Sequence, residues 1–328
     1  MTSPADFFNM PEADVQRGPG GSPMLVPRGI DPASGIRSAY TRASYMADFL
    51  EEKDHIHRWE MRYLAKAMGQ NEDLAALAAA ETYSTGVSDA TVGREKSASG
   101  RRLDDIIERA LDRVRIHEKA DRGTAVHGFT EPGAPSGDQI PERFRAVVAS
   151  FWESLRVNAI RLVATEQFTA NDVTMSAGTF DHLVEVVGHQ DLRGLVIADK
   201  KTGRYSPFEW SVQLSSYANG DPYDTATDTR PAWPGTINKD WGLVFFMDAE
   251  KGTTELHMLD LQFGWRMAQL AAEVRDGHAR TDICSPLRPV PMHIRVGQAA
   301  TKADLELLWW STTDPGLRAM IEQKARTL

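Results

Sequence analysis

The spacing of apolar residues changes near residue 160 of this chain. Before that point apolar side chains recur three and four positions apart, which is the period of an amphipathic helix. The pattern predicts a helical segment that Ser44 caps and that runs to Tyr63, then helices over Asp73–Thr82, Arg101–Asp121 and Pro141–Val163. Their charges are typical of solvated faces, although the Trp59–Arg62 segment could also touch DNA phosphates.

Beyond residue 160, short runs rich in β-branched and aromatic residues predict strands. Ala164–Asn171 is expected to be an edge strand, and residues 174–187 and 194–201 are expected to form the next two. A hairpin is expected to pair Trp241–Met247 with Thr254–Leu261. Further helices are predicted over Pro207–Asn219, Phe263–Asp276, Ala303–Trp310 and Leu317–Ala325. This order predicts an α/β core with a helical N-terminal elaboration.

Shifts in composition suggest where the chain divides. Residues 1–35 are rich in Pro and Gly and lack periodicity, so we expect a flexible arm there. A helical N-terminal region is expected over residues 36–121, a core over residues 122–285 and a C-terminal helical extension over residues 286–328. The Pro-, Asp- and Thr-rich insertion at residues 220–239 could build a cap or a contact with a second copy of the chain.

The overall composition is that of a soluble globular protein. The chain has 328 residues, of which 41% are hydrophobic and 25% charged, and no apolar run is long enough to cross a bilayer. The first residues lack the features of a secretory signal, and the single Cys284 rules out an internal disulfide. A reducing cytoplasm is therefore the expected setting. The net charge of −9 argues against nonspecific coating of nucleic acid but not against local DNA binding.

Three charged residues stand at the ends of two predicted strands. Asp181 follows Gly178-Thr179-Phe180, and Asp199 and Lys201 end the apolar run that begins at Leu195. Residues i and i+2 of a strand point to the same face, so Asp199 and Lys201 should project side by side. Such charges at the end of a buried strand are costly unless they are compensated. A divalent cation held by Asp181 and Asp199 would compensate them.

The chemistry of these side chains fits hydrolysis of a phosphodiester. Mg²⁺ and Mn²⁺ prefer oxygen ligands, which Asp181, Asp199 and the backbone carbonyl of Lys200 could supply. His127 could add an imidazole, which Mn²⁺ tolerates better than Mg²⁺. Lys201 has no acceptor for a metal, but its ammonium could hold the attacking water and stabilise charge on the phosphate.

These residues form part of a longer ordered pattern. Gly123 to His127 is followed by Glu166, Gly178 to Asp181, Asp199-Lys200-Lys201-Thr202-Gly203 and Gln213-Leu214-Ser215-Ser216-Tyr217. The pattern resembles that of the PD-(D/E)XK nuclease superfamily, and within it the RecB-like exonucleases of the CRISPR-associated and phage-encoded branches. The resemblance covers roughly residues 123–217 and implies a restriction-endonuclease-like core, in which helices flank a mixed central sheet.

The resemblance also implies roles for individual residues. His127, Asp181 and Asp199 would be metal ligands and Lys201 the catalytic lysine. Gln213 and Tyr217 would lie near the scissile DNA strand, with Gln213 also assisting catalysis, and Glu166 would support the site. Apart from the resemblance, a modestly basic rim of Arg193, Lys200, Arg204 and Lys239 predicts salt-sensitive binding of DNA through its phosphates.

The implied function is a DNA nuclease that uses one or two Mg²⁺ or Mn²⁺ ions. An exonuclease of phage or prophage recombination, replication or repair is favoured, which would place the protein in a bacterial host cell. Relatives that carry an iron–sulfur cluster use four cysteines, so that form is excluded by Cys284 alone. Expected partners are DNA and, as alternatives, a recombination or single-strand-annealing protein or a second copy of the chain. Two other functions remain open: a structure-specific endonuclease, and an inactive DNA-binding or assembly module.

Overall fold

The computed structural model describes residues 15–51, 54–84, 98–114, 118–288 and 290–328. The chain separates into two compact units, Met1–His278 and Ala279–Leu328. No helix among the described residues is both long enough and apolar enough to span a bilayer.

The described part of the larger unit is built on a mixed sheet of seven strands. These strands are β3 (Thr41–Arg42), β4 (Ile160–Asn171), β5 (Ser176–Val186), β6 (Leu195–Lys201), β7 (Asp221–Pro222), β8 (Trp241–Asp248) and β9 (Thr253–Asp260). Their order is β7-β4-β5-β6-β8-β9, and β3 pairs with β5. β4, β5 and β6 are antiparallel neighbours, β6 and β8 are parallel, and β8 and β9 form a hairpin. An α/β fold with a mixed central sheet is therefore confirmed.

Helices cover the sheet and extend the chain at both ends. In chain order the described helices are α1 (Asp54–Gln70), α2 (Glu72–Ser84), α3 (Ala98–Arg113), α4 (Glu118–Phe129), α5 (Glu142–Val157), α6 (Pro207–Ala218), α7 (Leu261–His278), α8 (Met292–Gln298), α9 (Lys302–Trp310) and α10 (Pro315–Ala325). The helices predicted at Asp73–Thr82, Pro207–Asn219 and Phe263–Asp276 are confirmed.

Alternation along the strands divides the core into two layers. On one face Val196 and Phe245 pack against Phe151 and its neighbours on α5. On the other face Ile197 and Val244 pack against α6. Consecutive residues of a strand point to opposite faces, so both layers are built from the same apolar strands.

Three predicted helices have different boundaries. The helix predicted to run to Val163 ends at Val157, and Ala159 then adopts a left-handed φ of 50° before β4 begins at Ile160. The helix predicted from Ser44 to Tyr63 is divided into a 3-10 helix, Ala43–Phe49, and α1. In place of the helix predicted over Arg101–Asp121, α3 ends at Arg113 and α4 begins at Glu118. At the first of these boundaries apolar residues continue from the helix into the strand, so their spacing gives no signal of the change.

Part of the expected flexible arm is packed against the sheet. Residues 1–14 lie outside the described residues. The described part of the segment begins at Val15 and has defined contacts. β1 (Met24–Leu25) and β2 (Ser38–Ala39) form a small antiparallel sheet. Val15 and Leu25 are buried with Tyr40, Phe168 and Tyr223. The Pro-rich sequence is thus held by burial of a few apolar side chains.

The insertion at residues 220–239 provides the other half of this contact. Arg37 donates to Asp228 at 2.9 Å, and the backbone N–H of Val26 donates to the hydroxyl of Tyr223 at 3.0 Å. Asp172, at the end of β4, accepts from the hydroxyl of Tyr40 at 2.5 Å and from Arg230 at 2.9 Å. Two segments without periodicity therefore stabilise each other.

The smaller unit has its own hydrophobic core. Val296, Leu305, Leu308 and Ile321 are buried together, one or more from each of α8, α9 and α10. Thr301 caps α9 by accepting from the N–H of Asp304, whose side chain accepts in return from the N–H of Thr301. Helices predicted at Ala303–Trp310 and Leu317–Ala325 are confirmed.

Candidate active site

Asp181 and Asp199 lie across from each other on neighbouring strands. β5 and β6 pair with His182 opposite Ala198, so one further step along the antiparallel ladder brings Asp181 opposite Asp199. Asp181 Oδ2 accepts the backbone N–H of Lys200 at 2.6 Å. The sequence prediction that two strands bring these carboxylates to one place is met by this geometry.

Lys201 connects the carboxylates to α6. Its Nζ lies 2.6 Å from Asp199 Oδ2 and donates to Gln213 Oε1 at 2.8 Å. Gln213 Nε2 in turn donates to the hydroxyl of Tyr217 at 3.0 Å, since the two residues are one helical turn apart. The result is a continuous chain of contacts from Asp199 through Lys201 and Gln213 to Tyr217.

A glycine on β5 makes room for the last member of this chain. A Cβ on Gly178 would come within 3.1 Å of the hydroxyl oxygen of Tyr217, which is tighter than ordinary packing. Gln213 and Tyr217 are themselves buried, with 9% and 3% of their surface exposed. In this conformation they hold Lys201 in place rather than presenting a surface to DNA.

His127 approaches the carboxylates from α4. It lies in the last turn of that helix, and its Nδ1 is 3.7 Å from Asp181 Oδ1. Burial and the charge of Lys200 lower the pKa of His127 to about 4, although Asp199 and a hydrogen bond to the Lys200 backbone oppose the change. Because an imidazole N–H donates, the Lys200 atom in that bond is the carbonyl oxygen. The imidazole is therefore neutral near pH 7.

The pKa of the Asp181 carboxyl is strongly perturbed. Burial and then the negative charge of Asp199 raise its pKa well above the ordinary value, while Lys200 acts in the opposite direction. Glu166 adds to the increase, and it is an exposed residue of β4 with a left-handed φ of 49°. The pairs on either side, Thr165 with His182 and Gln167 with Phe180, place Glu166 across from Asp181.

Two residues expected to bind DNA each form an ion pair within the protein. The side chain of Lys200 is fully enclosed and forms an ion pair with Glu131. Lys200 alternates with Asp199 and Lys201 along the strand, so its side chain points to the opposite face of the sheet. Arg204 is half exposed and pairs with Glu209 at 2.8 Å. Lys200 is thus not positioned to contact DNA, whereas Arg204 lines an open cleft.

This cleft has a volume of about 800 Å³ and was not anticipated from the sequence. It lies between α1, α4, the loop after β6 and the β8–β9 hairpin. Glu131 was also missed, because nothing in the sequence links it to Lys200, which lies 69 positions away. For the cleft, the available signal in the sequence was the Trp59–Arg62 segment, from which Trp59 and Arg62 line one side.

The oxygen atoms of Asp181, within β5, and of Asp199, near the end of β6, are of the type that a hard divalent cation prefers. Within the described residues, no group of three or more His, Cys, Asp or Glu side chains could hold a metal ion as they stand. Mg²⁺, however, commonly uses one or two protein carboxylates and keeps several waters. Asp181 and Asp199, with the carbonyl of Lys200, are a donor set of that kind.

Comparison with known proteins gives no family for this chain. No protein-family model matches it, and no curated protein matches it significantly.

Proposed function

We propose that this protein is a metal-dependent DNA nuclease with a PD-(D/E)XK-like core. The observation that carries the proposal is the junction of β5, β6 and α6. Two carboxylates face each other there, and Lys201 is held between Asp199 and Gln213. An ordinary surface ion pair would need neither the second carboxylate nor the buried amide and phenol behind the lysine.

The residues of this junction divide the work of phosphodiester hydrolysis. Asp181 and Asp199, with the Lys200 carbonyl, would hold Mg²⁺ or Mn²⁺, and neutral His127 lies beside them. A bound ion supplies charge neutralisation and lowers the pKa of a coordinated water. Lys201 can donate hydrogen bonds to the attacking water and to the phosphate oxygens, where negative charge develops. Gln213 orients the ammonium, and Tyr217 orients the amide of Gln213.

Substitution at the junction tests the proposal. Asp181→Asn, Asp199→Asn and Lys201→Met should each lower the rate of DNA cleavage in Mg²⁺ or Mn²⁺ by at least about 100-fold. The first two remove carboxylates that would hold the metal ion, and the third removes the ammonium that would stabilise charge on the phosphorane. The measurement is the release of nucleotides from end-labelled linear DNA, with circular dichroism to verify folding. Lys302→Met, an exposed lysine of the smaller unit, is the matched control and should cleave normally.

Some outcomes would refute the proposal, and others would refine it. Full activity of the three variants, or cleavage that persists in EDTA, would contradict a metal-dependent nuclease. Digestion of linear DNA but not of covalently closed circular DNA would identify an exonuclease. Cleavage of both would favour the endonuclease alternative.

A further inference from the structure

The open cleft beside the junction is built by the same elements that carry the candidate catalytic residues. Thr202, Gly203 and Arg204 line it directly after Lys201, and Val126 lines it directly before His127. α4 and the loop after β6 are in close contact there, since a Cβ on Gly123 would lie 2.4 Å from Thr202 Oγ1. A molecule in the cleft would therefore contact residues that directly adjoin Lys201 and His127 in the chain.

The cleft is lined by aromatic and apolar side chains as well as charged ones. Trp59 is 41% exposed, and its ring lies 4.8 Å from that of Tyr63, one turn along α1. Phe246 and Met247, at the end of β8, line the opposite side. A planar, partly exposed indole in such a setting is suited to stacking on another planar ring.

Arginines surround this aromatic face. Arg62, Arg122 and Arg204 come from three different elements and all line the cleft. Two of these arginines pair with carboxylates at the surface, Arg122 with Glu250 at 3.6 Å and Arg204 with Glu209 at 2.8 Å, so a phosphate would compete with those carboxylates. Asp248, which also lines the cleft, pairs with Lys251 at 2.9 Å. The combination of a stacking ring with surrounding guanidinium groups matches the two parts of a nucleotide, the base and the phosphate.

We propose that this cleft binds an unpaired stretch of DNA, with a base stacked on Trp59 and phosphates held by the surrounding arginines. The inference rests on the proposed nuclease function and specifies the form of its substrate. A duplex offers no free base face along its length, because its bases stack on one another. Trp59 therefore selects a single strand or a frayed end, and the cleft holds that strand against the loop that follows Lys201.

Binding of labelled oligonucleotides to the full chain tests this inference. A short fluorescein-labelled oligothymidylate is titrated in EDTA, where a metal-dependent nuclease cannot cleave it, and anisotropy is recorded. Trp59→Ala should weaken binding by about 5- to 150-fold, which is the usual range for loss of one base–aromatic stack. Trp59→Phe should retain most of the affinity. Trp310→Ala, at an indole that is 76% exposed in the smaller unit, should bind like the wild type.

A strand of the same length without bases separates stacking from phosphate contacts. Wild-type protein should bind this abasic strand no more tightly than Trp59→Ala binds the thymidylate. The inference would be overturned if the wild type bound the two strands equally well or failed to bind thymidylate. It would also be overturned if Trp59→Ala bound thymidylate as tightly as the wild type does. Tighter binding of a blunt duplex that does not depend on Trp59 would overturn it as well.

The outcomes for this inference and for the nuclease function can be distinguished. Trp59-dependent binding without cleavage in any metal would refute the nuclease and leave the single-strand site standing. Cleavage combined with binding that is independent of Trp59 would do the reverse.

Discussion

At the scale of single residues, the Asp199-Lys200-Lys201 run shows how one strand serves two purposes. Asp199 and Lys201 face the candidate site, while Lys200 points into the opposite layer and pairs with Glu131. The two partners differ in exposure, since the Lys200 side chain is fully enclosed and that of Glu131 is 26% exposed. Substitution of Lys200 and substitution of Glu131 should therefore lower the stability of the protein by different amounts.

We expect Glu131→Gln to destabilise the protein much more than Lys200→Met. The first leaves an enclosed ammonium without its counter-charge, which typically costs about 3–5 kcal/mol. The second leaves a carboxylate that water can reach, and methionine fills the vacated space. Urea unfolding followed by circular dichroism measures both. Glu209→Gln, at the more exposed pair with Arg204, is the control and should cost no more than about 1 kcal/mol. Equal losses for the first two variants would contradict this asymmetry.

His182, in the core next to the candidate site, should make the stability of the protein depend on pH. Its ring is fully buried, stacks on Phe151 at a centroid distance of 5.8 Å, and has no hydrogen-bond partner for either nitrogen among the described residues. Burial, together with the charges of Lys200 and His127, lowers the pKa of His182 well below 6.5. The folded protein therefore keeps this imidazole neutral at pH values where the unfolded chain protonates it.

The free energy of unfolding should consequently fall as the pH drops below about 6.5. Stability is complete above the unfolded pKa and is lost toward the lower folded pKa, by up to about 1.4 kcal/mol for each pH unit in that window. His127 acts in the same direction, because its pKa is lowered to about 4. His182→Leu should reduce this slope in metal-free urea titrations, whereas His189→Leu, at an exposed position, should not change it. An unchanged slope in His182→Leu would show that another group is responsible.

At the scale of elements, α6 is the helix on which the site depends. Every residue from Trp210 to Ala218 is buried, because the sheet, α7 and the Ala43–Phe49 helix surround it. Small side chains allow this, and the hydroxyls of Ser215 and Ser216 bond to the carbonyl of Val212. A helix enclosed on all sides holds Gln213 rigidly behind Lys201.

The contact between α6 and α7 should be sensitive to a single methyl group. A Cβ on Gly264 would lie 2.2 Å from the backbone oxygen of Ser211, so Gly264→Ala must push the helices apart. The expected loss is about 2–3 kcal/mol in urea unfolding. Gly277→Ala lies on the same helix with no atom within 4 Å of the added Cβ, and it should raise stability slightly, by about 0.5 kcal/mol. Similar effects at the two positions would argue against close packing at Gly264.

Local patterns were sufficient to predict most of the central elements. β5, β6, the β8–β9 hairpin, α6 and α7 all occur where the spacing of apolar residues places them. The start of β4 and the division near residue 50 were not predicted. Ile160–Val163 is apolar enough to continue the preceding helix, and helical spacing of apolar residues resumes beyond the charged run near residue 50. Periodicity identifies an element more reliably than its ends.

The site was predictable to the extent that its residues are close in sequence or follow a strand. Asp199 and Lys201 are two positions apart, and Asp181 required only the pairing of two adjacent strands. The ion pair of Lys200 with Glu131 and the cleft at Trp59 arise from tertiary packing. A lysine in a run of charges gives no indication of which face of the sheet it will occupy until the register is known.

At the scale of the whole molecule, contacts distant in sequence complete the fold of the larger unit. β3 pairs in parallel with β5, with Thr41 opposite Ser176. Arg37 reaches Asp228 across 191 positions, and Val26 reaches Tyr223 across 197. The first described segment is thus stabilised by the insertion at residues 220–239, far away in sequence.

This arrangement delays some contacts while the chain is being synthesised, because their two partners are made far apart in time. At about 5–20 residues per second, synthesis of the 191 positions between Arg37 and Asp228 takes roughly 10 to 40 s. For nearly all of that time Val15 and Leu25 have been made, but Tyr223, against which they are buried in the finished fold, has not. These apolar side chains therefore stay accessible to a chaperone or a protease until the 220–239 insertion has been made.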